Sequence, residues 1–295
     1  MTLQSPVVSV IVTVYNREAY LRDTLRSILD SKYTNFEVIV VDDGSSDAST
    51  NIASEFAEQD QRVQVHRNEQ NLGDYPNRMK AASLAQGRYI KYVDSDDLIY
   101  PHSLAIMVES MERNPDAALG LAHSMPEDES PYPWCLTSEQ AYRKHFLGRG
   151  CLSCGPSGAI IRRDAFEAVG GFRPEWGVLS DINLWCRMAA CWPTVLLAPS
   201  LVWWRRHAEQ EYTKNDAELT YLELGYGLET EALMSAECPL NLSDRAAALE
   251  RKRQHFARRL LSLAIRRHRF RSAFGLYRSS ALTLAQLAQG FRSYA

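Results

Sequence analysis

The stretch "FEVIVVDDGSSD" at positions 36–47 decides the architecture. Val38, Ile39, Val40 and Val41 are consecutive β-branched residues, which suits a strand buried on both faces rather than one with a wet side. The run ends abruptly at Asp42 and Asp43. Ser46 or Asp47 is then placed to cap a helix by accepting a backbone N–H. Upstream, "VVSVIVTVY" (7–15) is a second such run, and Tyr20, Leu21, Leu25, Ile28 and Leu29 recur at helical spacing over 18–29. Downstream, "RVQVHRN" (62–68) reads as a short strand, "YPNRMKAASLAQG" (75–87) as a helix ended by Gly87, and "RYIKYVD" (88–94) as a fourth strand. Strands alternating with helices imply parallel pairing through right-handed crossovers. The expected fold is α/β: a doubly wound, mostly parallel sheet flanked by helices, with ligands at the carboxyl ends of the strands.

Composition narrows the function. The 295 residues are 45% hydrophobic and 23% charged with a formal net charge of -3, ordinary for a soluble globular chain and unlike a nucleic-acid binder. No apolar run reaches the roughly 18 residues that cross a bilayer. The start, "MTLQSPVVSVIVTVYNRE", has neither a basic leader nor a small-residue cleavage site, so the expected compartment is the cytoplasm. The six cysteines, including the single C-x-x-C of Cys151 and Cys154, read as reduced thiols rather than a disulfide framework or zinc site.

Two carboxylate groups follow strands: Asp42 and Asp43, then Asp94, Asp96 and Asp97 in "YVDSDDL" (92–98). Like charges held close raise one another's pKa unless a cation or donors offset them. Hard oxygen ligands suit a divalent ion such as Mg2+, which takes one or two carboxylates plus waters and substrate phosphates. Taken alone, each cluster reads equally well as a solvated turn or cap. The missing central glycine and closing glutamate argue against an EF-hand. Neither G-x-G-x-x-G after the first strand nor G-x-x-x-x-G-K-[ST] occurs, so no glycine-rich phosphate loop is present.

In order, "VSVIVTVYNREAYLRDTLRSIL", "FEVIVVDDGSSDAS", "NLGDYPNRMKAASLAQGRYIKYVDSDD", "GAIIRRDAFEAVGGF" and "SDINLWCRM" resemble the family-2 glycosyltransferases of GT-A fold over roughly residues 5 to 210. The resemblance implies an inverting, metal-assisted transfer of a sugar from a nucleotide diphosphate sugar to an acceptor hydroxyl. It places the setting in cell-surface polysaccharide or glycoconjugate synthesis, with Mn2+ or Mg2+ as cofactor. By position it assigns Thr13, Tyr15, Glu18 and Asp43 to the nucleotide, with a UDP-sugar favoured, and Arg78 to a nucleotide-linked position followed here by Met79. Asp94, Ser95 and Asp96 form the D-x-D motif, with Asp94 at ribose or metal-bound water and Asp96 on the metal; Asp97 is a support or a helix cap. Asp181 stands where the family carries its catalytic base, with Ser180 replacing the usual glutamate. Without the resemblance, Asp181 reads as the N-cap of the helix carrying Leu184, Trp185 and Met188. His207 matches a position near the diphosphate and is assigned to the metal, with Arg205 or Arg206 offsetting leaving-group charge.

The expected domains are 1–215, divided into a nucleotide-sugar half (1–100) and an acceptor half (101–215), and a helical C-terminal extension over 216–295. Tyr132, Trp134 and Tyr142 offer rings for stacking on sugars, or are ordinary buried aromatics. The acceptor is a glycan, lipid-linked or other hydroxyl compound. From Arg245 to Arg271 ten Lys and Arg stand against one acid, Glu250, interleaved with apolar residues. Such a segment suits peripheral contact with the inner face of a membrane, a solvated helix, or a subunit interface in a homo-oligomer. Two other classes stay open on the residues alone: a metal-dependent nucleotidyl- or phosphotransferase, and a non-catalytic carbohydrate-binding protein.

Overall fold

The computed structural model describes residues 5–122, 129–207, 210, 217–280 and 282–292. They fall into two compact units, Met1–Ala141 with Cys151–Arg206, and Tyr142–Gly150 with His207–Ala295. The boundary expected at 215, and residues 123–128 of the expected acceptor segment, lie outside the described residues.

The first unit is built on β1 (Val8–Val14), β2 (Phe36–Asp42), β3 (Val63–Arg67) and β4 (Tyr89–Tyr92). These pair in parallel in the order β3-β2-β1-β4, joined by α1 (Leu21–Leu29), α2 (Ser49–Gln59) and α3 (Asp74–Ser83). Val8, Val10, Val12, Val38 and Val40 pack with Leu21, Leu25 and Phe56 on one face. On the other, α3 lies over β1 and β2 through the small residues Ala81 and Ala82. Burial on both faces accounts for the continuous apolar runs, each fully buried Val or Ile contributing roughly 1.5–3 kcal/mol.

A short ribbon pairs β5 (Leu98–Ile99) with β10 (Val202–Trp203), and α4 (Ser103–Glu112) follows β5. The sheet continues through β6 (Leu119–Ala122), β7 (Trp134–Leu136), β8 (Ala159–Arg162) and β9 (Thr194–Leu197) as β4-β8-β6-β9-β7. In this half β8 runs antiparallel to both neighbours, while β6 and β9 are parallel. The helices α6 (Arg163–Ala168) and α7 (Ser180–Cys191) follow β8.

Gly87 plays a different part from the expected helix stop. Helix α3 already ends at Ser83, and Gly87 lies against β1, where a Cβ would come within 2.5 Å of Ser9 N. There Ser9 Oγ accepts the Gly87 N–H and donates to Glu37, so this buried polar group is satisfied. All six cysteines are free thiols, with Cys151 and Cys154 buried.

The second unit contains the π-helical turn Arg143–Leu147, which continues from α5 (Ser138–Tyr142), and α8 (Ala217–Met234), α9 (Leu242–Leu261), α10 (Phe270–Ser279) and α11 (Leu284–Arg292). Helix α9 starts at Asn241, whose side chain accepts the Asp244 N–H at 2.9 Å. Phe256, Leu260, Leu263 and Leu276 form its core. Tyr142 is buried here against Phe146, ring centroids 5.1 Å apart, which is the ordinary buried aromatic of its two readings. Among the described residues no helix is long and apolar enough to cross a membrane.

Candidate active site

Parallel pairing brings the carboxyl ends of β1, β2 and β4 together, and the acidic clusters leave the sheet there. Chain reversal after β1 places Asn16 at φ 52 and leaves Tyr15 half exposed, while Thr13 is only partly buried. Two seryl hydroxyls fasten this turn, Ser45 to the Asn16 N–H and Ser49 to the Arg17 N–H. Glu18 accepts the Ala48 N–H at 2.8 Å and gives its own N–H to Asp47, which also accepts from Ser49 N at the start of α2. Glu18 therefore braces two loops beside Tyr15.

The two aspartates of "DDGSSD" divide their work. Asp42 is buried and holds its own turn, accepting from Ser45 N, Ser45 Oγ and Thr50 Oγ1. Asp43 accepts from Asn68 Nδ2 at 2.6 Å and from Leu72 N and Gly73 N at 2.9 Å. Its carboxylate thus orders the 68–73 loop ahead of α3.

Arg78 is the buried cation of the site. Its Nε donates to Asp74 and its Nη2 to Asp94, both at 2.7 Å, between the rings of Tyr75 and Tyr92. Its Nη1 is buried without a hydrogen-bond partner. Asp94 is fixed from behind by Ser157, whose Oγ accepts the Asp94 N–H at 2.9 Å. The Ser157 carbonyl in turn accepts from Lys91, a fully buried lysine that burial pushes down to about 8.

Within the acidic turn each residue has its own environment. Ser95 is buried and its carbonyl accepts from Thr24. Asp96 faces Arg17 at 3.6 Å. Asp97 is buried, its N–H closes a turn onto the Asp94 carbonyl, and its carboxylate accepts the Arg205 N–H. Burial, then the charges of Asp94 and Asp96, push the Asp97 carboxyl up to about 7. Arg205 also donates Nε to the Asp96 carbonyl and lies over Tyr20 and Trp203, tying the segment after β10 to the turn.

Asp181 is the second residue of α7 and does not cap it, since the helix begins after Leu179. Its carboxylate accepts the adjacent Ile182 N–H at 2.7 Å, and the residue is buried. Burial pushes this carboxyl up to about 7, with Arg78 opposing the shift and Asp94 and Asp74 adding to it. The first unit thus brings Asp181, Arg78 and Asp94 within electrostatic reach of one another. Ser180, where the resemblance expects glutamate, is buried and donates to the Arg173 and Gly177 carbonyls, anchoring the loop before α7. His207 opens the second unit, where its N–H bonds Gln210.

Several participants escaped the sequence reading. Ser157, Lys91 and Asn68 come from segments whose local pattern carries no chemical signal. Arg17, two residues beyond the exposed Tyr15, faces Asp96 across the site, a pairing that its local pattern does not signal.

Among the described residues no three His, Cys, Asp or Glu side chains converge as a ready-made metal cage. The crowding that raises Asp97 nevertheless fits a divalent ion carried mainly by the ligand's phosphates and waters with one carboxylate. Asp96, at the edge of this turn, is partly buried and faces Arg17.

Residues 9–170 match the family model "Glycosyl transferase family 2". The "Putative teichuronic acid biosynthesis glycosyltransferase TuaG" of Bacillus subtilis is 35% identical over 160 residues, 52% of this chain and 63% of that protein. The chain spans less than two thirds of the length of curated relatives that it matches. In fold, the chain resembles S. aureus TarS in complex with UDP-GlcNAc, with a TM-score of 0.67 at 19% identity over 97% of this chain and 78% of that one. It also resembles the mannosyltransferase PcManGT from Pyrobaculum calidifontis in complex with GDP-Man and Mn2+, with a TM-score of 0.65 at 16% identity and the same two coverages.

Proposed function

The chain belongs to glycosyl transferase family 2, and from that premise we propose that it moves a sugar from a nucleotide diphosphate sugar to an acceptor hydroxyl, with inversion, in polysaccharide synthesis. The observation that carries this reading is the buried Asp181 carboxyl, raised to about 7 beside Arg78 and Asp94. A general base works best when its pKa lies near the operating pH. An ordinary helix-terminal aspartate would be ionised far lower and would be a feeble proton acceptor.

In this reading Tyr15, with Thr13, offers the nucleoside a face, and the loop ordered by Asp43 closes beside it. Asp94, held by Arg78 and Ser157, receives the ribose or a bound water. Asp96 would hold a divalent ion, Mn2+ or Mg2+, which when bound would supply Lewis-acid stabilisation of the departing diphosphate. Asp181 removes the acceptor proton as the oxygen attacks the anomeric carbon. That attack, from the side opposite the leaving diphosphate, is a single displacement and inverts the centre.

The donors present in the two structures of like fold, UDP-GlcNAc and GDP-Man, support a nucleotide sugar here, and a UDP-sugar is the first to test. The relative named for teichuronic acid synthesis supports a polysaccharide acceptor. Peripheral contact with an anionic membrane is supported by α10, which exposes Phe270 and Phe274 one turn apart beside Arg271.

The test is a panel of nucleotide sugars scored for thermal stabilisation with and without Mn2+, followed by donor turnover. Metal-dependent stabilisation by one donor, and turnover lost in Asp181→Asn, is the expected result. Failure of every donor to bind or react would overturn the reading.

A further inference from the structure

The helical unit holds an open cavity of about 420 Å3 that sugar transfer at the β-sheet does not use. Its walls come from one face of α8, with Tyr221, Gly225 and Glu229 at helical spacing, and one face of α9, with Arg251, His255 and Arg258. The third wall is the turn around Phe146 and Arg149. Glycine builds that turn: a Cβ on Gly148 would meet the Lys144 carbonyl at 2.6 Å, and Gly150 has φ 77. Arg149 is thereby carried on a tight loop at the cavity.

Charge in the cavity is one-sided. Elsewhere in this unit Arg143 pairs with Asp244, and Arg259 and Arg267 with Glu218. At the cavity the sole acid, Glu229, pairs with Lys252 at 2.6 Å. Among the described residues Arg149, Arg251 and Arg258 have no carboxylate partner. Arg251 donates to the Leu147 and Gly148 carbonyls, which fixes its fork at the wall. The half-exposed His255 reports the resulting field, since burial and then Lys252, Arg258, Arg259 and Arg251 hold its imidazole below the usual range. Burial and Lys252 also push His145 down to about 3, so the floor is neutral beneath a cationic rim.

We propose that this cavity is a binding site for an acidic saccharide, a glycan segment bearing phosphate or carboxylate groups. Guanidinium forks match oxyanions bidentately. Tyr221 presents an amphipathic ring at the opening, of the kind that lies against a sugar face. The volume is that of a small-ligand pocket. The cations stand around an open recess rather than on a flat face, with Arg149 and Arg251 exposed at its rim and Arg258 partly buried, a shape that a single charged residue of a chain can enter and a planar layer of headgroups cannot follow. The saccharide half of the assignment rests on the proposed sugar transfer; the oxyanion half stands on the cavity.

The test is calorimetric titration of the full chain, without divalent metal, with a tetragalacturonate and with uncharged maltotetraose. Arg149→Ser and Arg258→Gln are the variants, each checked for folding by thermal unfolding and for unchanged UDP binding. The acidic tetramer is expected to bind and the neutral one not, each variant weakening binding by about tenfold or more. Bound tetramer should also raise the titration midpoint of His255 in NMR spectra, because it offsets the surrounding cations. Equal binding of the two tetramers, wild-type affinity in both folded variants, or capture by phosphatidylglycerol vesicles with no tetramer binding would each overturn the proposal. Tetramer binding without any donor turnover would sink the transfer reading and leave the oxyanion site standing. Donor turnover without tetramer binding would do the reverse.

Discussion

Arg78 Nη2 lies 2.7 Å from Asp94 Oδ1 while the same guanidinium holds Asp74 at 2.7 Å and acts electrostatically on Asp181. One buried cation therefore serves three carboxylates. Removing it leaves the partly buried Asp94 and the buried Asp181 without a counter-charge while water screens the exposed Asp74, so the cost is that of lost charge-assisted hydrogen bonds, about 1.5–3 kcal/mol. Arg78→Met should lose stability of that order in urea unfolding. Arg78→Lys should recover only part, because one ammonium cannot fork between Asp74 and Asp94.

Asp181 titrates near neutrality, so its basic form grows as pH rises through about 7. Donor turnover should therefore increase through this range, and Asp181→Asn should reduce turnover by about 10^2–10^4-fold while leaving nucleotide-sugar binding intact. In a mildly destabilised Arg78→Lys protein the limb should move to higher pH if the new cation sits farther from Asp181, because Arg78 opposes the upward shift. Measuring turnover against pH for both proteins checks the assignment. Unchanged turnover in Asp181→Asn would remove Asp181 from the chemistry.

The parallel half of the fold was legible because β1 and β2 bury both faces and therefore carry unbroken β-branched runs. The antiparallel insertion of β8 was not, because "AIIR" reads the same in either direction and hydrophobic period says nothing about strand polarity. Asp94 and Asp181 could be picked out through the ordered motifs. Lys91 could not, since a lysine inside "YIKY" reads as a strand's wet side, and it is the distant Ser157 carbonyl, with that of the adjacent Tyr92, that makes its burial tolerable. Asn68 and Asn77 bond each other beneath Asp43 for the same nonlocal reason. Tyr142 and Phe146 stand four residues apart, so helical spacing could have paired them; the surrounding segment rich in Pro, Gly and aromatic residues hid that helix.

Ionising Asp181 also has a stability consequence. The folded carboxyl titrates near 7 and an unfolded aspartate near 3.9, so between these values the folded chain binds the extra proton. Stability therefore falls as pH rises from about 4 to 7 and is flat with respect to this group above 7. Asp181→Asn cannot ionise, so it should be more stable than wild type by an increment that grows over that interval and then levels off. Thermal unfolding of both proteins at pH 4, 5.5, 7 and 8.5 is the measurement. An increment independent of pH would contradict the raised carboxyl.

Gly87→Ala and Gly155→Ala form a matched pair. At Gly87 the added Cβ would stand 2.5 Å from Ser9 N and 2.7 Å from Val8 C, both backbone atoms of a fully buried strand hydrogen-bonded on each side. Neither atom can retreat without disturbing β1, and the shift would also part the Gly87 N–H from Ser9 Oγ. Overpacking of this kind costs about 1–3 kcal/mol or more, so the variant should melt well below wild type. Gly155 has φ -69 and nothing within 4 Å of its added Cβ, although it lies two residues from Ser157. There alanine narrows the unfolded ensemble without strain, and stability should change by less than about 1 kcal/mol, toward stabilisation. Comparable losses in the two variants would mean that Gly87 does not lie against β1 as described.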